Sequence, residues 1–117
     1  MLFRSPEEYG SIDPHSSGTY VDARGSARHL TAREFSLEPA RYWVSPKTKA
    51  RYPVGWRVRV PSLALDLQCA AAVDGQELVA RDAAAPSYWE GAVSYSGNAA
   101  GVGYLEMTGY DKPVKLD

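Results

Sequence analysis

Cysteine is almost missing from this chain. Cys69 stands alone among 117 residues, so no disulfide can staple the chain from within. That fits a reducing compartment or a protein that needs no staple. Histidine is nearly as scarce, and His15 and His29 lie far apart without neighbouring Cys or His partners, so no metal-ligand spacing is present. Charge of one sign is lacking as well. The 13 basic and 14 acidic residues are well mixed and leave a formal charge of −1, which argues against a nucleic-acid stripe or an acidic solvating tail. No apolar run approaches the roughly 18 residues of a membrane-spanning helix. The opening MLFRSPEEYG lacks the long apolar core and cleavage site of a signal peptide. A G-x-S-x-G elbow is absent, and no Ser-His-Asp arrangement is readable. The Gly-x-Gly at 101 to 103 leads into a strand pattern rather than a helix, which rules out a dinucleotide loop.

What remains is a strand-forming sequence of single-domain size. Eight Tyr and three Trp against two Phe make a polar-tipped aromatic set, suited to cavities and interfaces but equally to ordinary β-cores. Residues 55–60 (GWRVRV) alternate cleanly, with Trp56, Val58 and Val60 on one face and Arg57 and Arg59 on the other. Residues 63–69 (LALDLQC) repeat the pattern, with Leu63, Leu65, Leu67 and a core-type Cys69 inward. Further strands are expected at 2–4, 18–22, 26–38, 42–45 and 76–81, with turns at 23–25 and 74–75 and a loop over 7–17. A short helix over 32–35 is the alternative within 26–38. Lys47, Lys49 and Arg51 form a basic loop cluster, read as solvated, with an anion-binding rim as the alternative. About eight short strands with regular turn signals predict an all-β antiparallel barrel or sandwich as one domain over 1–117.

The sharpest chemical feature lies at 88–110, YWEGAVSYSGNAAGVGYLEMTGY. If the hairpin is centred on Asn98, Tyr88 faces Thr108, Glu90 faces Glu106 and Ala92 faces Tyr104. Two carboxylates then sit side by side on a face with Tyr88, Tyr104 and Tyr110. Such a pair is well solvated, shares a proton, or has a polar partner such as Arg57 or Arg59. A one-residue slip would send the two carboxylates to opposite faces.

Several blocks taken together resemble the carotenoid 1,2-hydratase family, especially its bacterial lipocalin-like branch of predicted secreted hydrolases. They are Trp43-x-Ser45, Tyr52-Pro53 with Trp56, Gln76-Glu77-Leu78, Tyr88-Trp89-Glu90-Gly91 and the run 101–110. The resemblance covers roughly residues 18–111. It implies a lipocalin-like antiparallel β-barrel of about eight strands, the second of two barrels in that family, with a ligand site near or between them. On this basis the chain looks like the C-terminal barrel without its N-terminal partner.

The resemblance also implies an apolar substrate and no metal or organic cofactor. The first expectation is a module binding a hydrophobic or isoprenoid-like small molecule through Trp43, Tyr52, Trp56, Tyr88, Trp89, Tyr104 and Tyr110. The second is a cofactor-independent hydratase or isomerase acting on a carbon–carbon double bond. There Glu90 or Glu106 would protonate the alkene and the aromatic faces would stabilise the cation. A third expectation is self-association, since a lone barrel exposes the surface that would meet the missing partner, and a homodimer would cover it. Family members are often exported, although this chain shows no export signal, so its localisation is left open.

Overall fold

The computed structural model describes residues 2–4 (backbone only), 16–82, 85, 87–108 and 110. Among these, nine strands form two antiparallel sheets, joined by turns and one short 3-10 segment. The smaller sheet holds β1 (Leu2–Arg4), β2 (Ser17–Val21) and β3 (Ala27–Thr31), with β2 in the middle. The larger sheet runs β4 (Ser36–Val44), β5 (Arg51–Val60), β6 (Leu65–Ala71) and β8 (Tyr88–Gly97). The short β7 (Glu77–Leu78) and the long β9 (Gly101–Thr108) also pair with β8. Within the described residues β4 and β9 each have one ladder neighbour, and no ladder joins them into a closed barrel.

The expected single strand over 26–38 is two strands. The chain turns at residues 32–34, where the Glu34 amide donates to the Thr31 carbonyl at 2.9 Å and Glu34 Oε2 accepts from the Thr31 amide at 2.7 Å. Alternation alone cannot reveal this break, because the local hydrogen bonds set it. Pro39 lies inside β4, between the expected strands at 26–38 and 42–45. The ladder with β5 shifts register around residues 39–42, and an edge strand tolerates a proline that cannot donate. The 76–81 strand shortens to Glu77–Leu78. Leu63, expected inward on a strand, instead closes the 3-10 segment Pro61–Leu63. Most of the expected loop at 7–17, including His15, lies outside the described residues.

One face of the large sheet makes the core. Tyr52, Val54, Trp56 and Val58 from β5 meet Leu67 and Cys69 from β6, Trp89 and Val93 from β8, and Met107 from β9. The inward alternation of β5 and β6 stands as the sequence predicts, since each strand offers its apolar parity to one side. Burial pushes the Cys69 thiol up, with a smaller opposing effect from its hydrogen bond with Tyr95, as suits an inert core residue. Tyr95 is likewise pushed up to about 12 by burial and by Cys69.

The β8–β9 turn is fixed by Gly97 and Asn98. Gly97 sits at φ +115°, and a side chain there would run into the Asp66 carbonyl, so only glycine fits without strain. Asn98 clamps the turn to the start of β6: its Oδ1 accepts from the Asp66 amide at 2.9 Å and its Nδ2 donates to the Ala64 carbonyl at 2.6 Å.

Candidate functional site

Three groupings carry the chemistry, and the first was not singled out in the sequence as a site. Glu77, on β7, accepts from the hydroxyls of Ser45 at 2.5 Å, Thr48 at 2.6 Å and Tyr52 at 2.7 Å. Ser45 is buried, and its Oγ also accepts from the amides of Lys47 and Thr48, each at 3.1 Å. The loop after β4 is thus wound around one serine and pinned to β7 by one carboxylate. Burial pushes the Glu77 carboxyl up, but the three hydroxyl donors, with the nearby Lys47 charge, outweigh it and hold the group below the usual range. Glu77 is therefore a carboxylate at neutral pH, able to accept a proton rather than supply one. The loop amides of Lys47 and Thr48 are spent on Ser45, and Lys49 Nζ donates to the Pro46 carbonyl at 3.1 Å, which favours the solvated reading of this basic loop.

The second grouping is aromatic and lies on the core side. The Trp43 and Tyr52 rings stack with centroids 6.2 Å apart, and Tyr110 packs against Tyr52 at 5.7 Å. Trp56 and Trp89 are buried in the same cluster. Their indole N–H groups are already used: Trp56 donates to the Pro53 carbonyl at 2.9 Å and Trp89 to the Asp74 carbonyl at 2.6 Å. Tyr52 and Trp89 are wholly buried, so these rings fill space in this chain rather than line an open cavity.

The third grouping lies on the opposite face. Glu90 stands directly opposite Glu106, Tyr88 opposite Thr108 and Ala92 opposite Tyr104, which is the register centred on Asn98. Glu90 is half-buried and Glu106 exposed. Tyr104 is 66% exposed. Partial desolvation, then the charge of Glu90 and a hydrogen bond with it, then the charge of Glu106, push its phenol up. Arg57 is not their partner, since its guanidinium is paired in two hydrogen bonds with Asp66, at 2.8 and 3.0 Å. Tyr110 does not join this face as expected. The strand ends at Thr108, so alternation no longer governs residue 110, and its ring turns to the core.

The residues expected to bind a ligand therefore divide. Trp43, Tyr52, Trp56, Trp89 and Tyr110 gather on one side of the sheet, and Tyr88, Tyr104, Glu90 and Glu106 on the other. Between β6 and the β8–β9 turn opens a concavity of about 180 Å³, walled by Leu67, Tyr95, Ala100, Val102 and Tyr104 among others. Tyr95 lies against Gly103, where a Cβ would stand 2.8 Å from its ring. No cluster of three or more His, Cys, Asp or Glu able to hold a metal ion occurs among the described residues, and no helix there is long and apolar enough to cross a membrane.

Ser45, Thr48 and Glu77 were missed because their meeting is long-range. A serine followed three residues later by threonine is a local signal of a hydroxyl-closed turn, and Ser45 and Glu77 both stand in the blocks that carry the family resemblance, but nothing in the sequence joins the two.

An all-β antiparallel domain with this hydroxyl–carboxylate pin and aromatic core matches known proteins on both sequence and structure. The AttH-like family model matches residues 1–110, and the chain belongs to that family. It is also similar to the crystal structure of a candidate AttH protein from Nitrosomonas europaea, at 40% identity and a TM-score of 0.71, over 81% of this chain. The match spans 30% of that protein's length. No curated protein gives a significant match.

Proposed function

We propose that the chain binds a hydrophobic, isoprenoid-like small molecule and forms one wall of the binding site. The observation that carries this reading is the concavity beside Tyr95, Val102 and Tyr104, whose lining is about half apolar and half polar. Its volume of about 180 Å³ falls short of the roughly 300–1,000 Å³ of a complete small-molecule pocket, so a second surface must supply the rest. Val102 is 89% exposed at its rim, an apolar side chain left for a ligand or a covering surface. The test is saturation-transfer NMR with farnesol as probe. Transfer to farnesol is expected in the wild type, and Ala100→Trp, which fills the concavity from an exposed turn, should weaken binding by about tenfold or more. No transfer to the wild type, or equal binding by the Trp variant, would overturn the assignment.

A second reading, a hydratase or isomerase acting on a double bond, is favoured by the directly opposed Glu90 and Glu106, with Tyr104 beside them on the same face. One carboxylic acid would deliver the proton to the alkene and the other carboxylate would take one from the incoming water. Glu90→Gln and Glu106→Gln, assayed by hydration of an isoprenoid alkene, should each abolish turnover. Undiminished turnover in both variants would exclude these acids.

A further inference from the structure

We infer that β9 is an assembly edge on which a second copy of this chain pairs, antiparallel and two-fold symmetric about Leu105. The backbone sets which groups are on offer. On β8 the Glu90 amide donates to the Gln76 carbonyl at 3.2 Å, and the Ala92 carbonyl accepts from the Ala72 amide at 2.9 Å. Even-numbered residues of β8 therefore point their backbone groups away from β9, and odd-numbered ones toward it. Through the observed register, Gly101, Gly103, Leu105 and Met107 take up those groups. Val102, Tyr104, Glu106 and Thr108 are left presenting their N–H and C=O groups to the open side, where no described strand pairs with them.

Among the described residues, the two long strands with one ladder neighbour, β4 and β9, are not alike. β4 carries Glu38, Pro39 and Arg41 and breaks register around them, the devices by which sheets discourage strand addition. β9 is regular along its full pairing with β8, contains no proline, and has Glu106 as its one charge. Val102 and Tyr104 stand exposed on it.

The edge is also complementary to itself. Pairing about Leu105 sets even residues opposite even ones, so every outward backbone group finds a partner. Tyr104 of one copy then faces Glu106 of the other, a phenol donor beside a carboxylate, and Val102 faces Thr108. On the core side Met107 faces the space above Gly103, and Leu105 meets Leu105 on the axis. Like charges are not placed directly opposite. An isologous contact of this kind closes as a dimer and does not propagate. It also brings the second copy's Thr108 and Glu106 alongside Val102 and Tyr104, where the concavity is incomplete.

The full chain should sediment at twice the single-chain mass. Leu105→Cys should form an intermolecular disulfide on mild oxidation. A non-hydrogen-bonded antiparallel pair holds its Cα atoms about 4.5 Å apart, within the roughly 4.4–6.8 Å that a disulfide spans. Val102→Cys, facing Thr108, should not. Tyr104→Pro removes an outward N–H and no bond to β8, and should weaken association by about 100-fold or more, with Val102→Lys as a second, charge-guarded variant. A single-chain mass for the wild type at high concentration would overturn the inference, as would an unchanged dimer in both edge variants. So would cross-linking of Val102→Cys as ready as that of Leu105→Cys.

Discussion

The buried phenol of Tyr52 donates to Glu77 Oε2 at 2.7 Å, joining the centre of the aromatic core to the carboxylate that holds the 45–50 loop. A hydrogen bond to an ionised group contributes about 1.5–3 kcal/mol. Tyr52→Phe should therefore destabilise the fold by about 2 kcal/mol. Glu77→Ala, which leaves three hydroxyls without their acceptor, should cost more, about 3 kcal/mol. Urea denaturation of both variants checks this, and Glu77→Ala should be the worse of the two.

The same carboxylate makes stability depend on pH. Burial raises its pKa, the three hydroxyls and Lys47 together lower it by more, and the net direction is down. A carboxyl with a depressed folded pKa stabilises above its unfolded value, about 4.3 for Glu. That contribution is lost as pH falls through the folded value. The wild type should hold its stability from neutral pH to about 4.3 and lose it below. In Glu77→Gln that component of the slope should be missing, as urea melts between pH 3 and 7 would report. Asp66 and Asp74, held low by hydrogen bonds to Arg57 and Arg41, act in the same direction but are solvent-screened, so the Glu77→Gln comparison singles out the contribution of the half-buried carboxylate.

Gly97→Ala should destabilise by about 1–3 kcal/mol, from a strained positive φ together with the clash against the Asp66 carbonyl. Asn98→Ala should cost about 1–2 kcal/mol by removing both side-chain clamps. If the Asn98 variant melts with the wild type, the turn is held by its backbone alone.

Glu90 and Glu106 face each other with like charge. Glu106→Gln should raise thermal stability at neutral pH by a few tenths of a kcal/mol, and Glu106→Lys by about 0.5–1 kcal/mol. These gains should shrink in high salt. A loss of stability in Glu106→Lys would mean that the carboxylate has a favourable partner outweighing Glu90.

Much of the fold is legible residue by residue. The alternation of Trp56, Val58 and Val60 and the Gly-Asn turn at 97–98 require only local geometry: a period of two assigns faces, and a turn former fixes the hairpin register. That is why the Glu90–Glu106 pairing could be read from spacing alone. The same reasoning failed at residues 31–36, where side-chain hydrogen bonds break the strand, and at Tyr110, which lies past the end of β9.

Sequence alone thus determined the all-β class, the inward parity of β5 and β6, and the β8–β9 register, because each depends on neighbours within a few residues. Only the tertiary structure decided which face of β8 and β9 is buried. Both faces carry aromatics, and burial depends on how the whole sheet curls. Tertiary structure alone also brought Ser45, Thr48 and Tyr52 onto Glu77, since this half-buried carboxylate is stabilised by donors from distant parts of the chain that no local pattern announces.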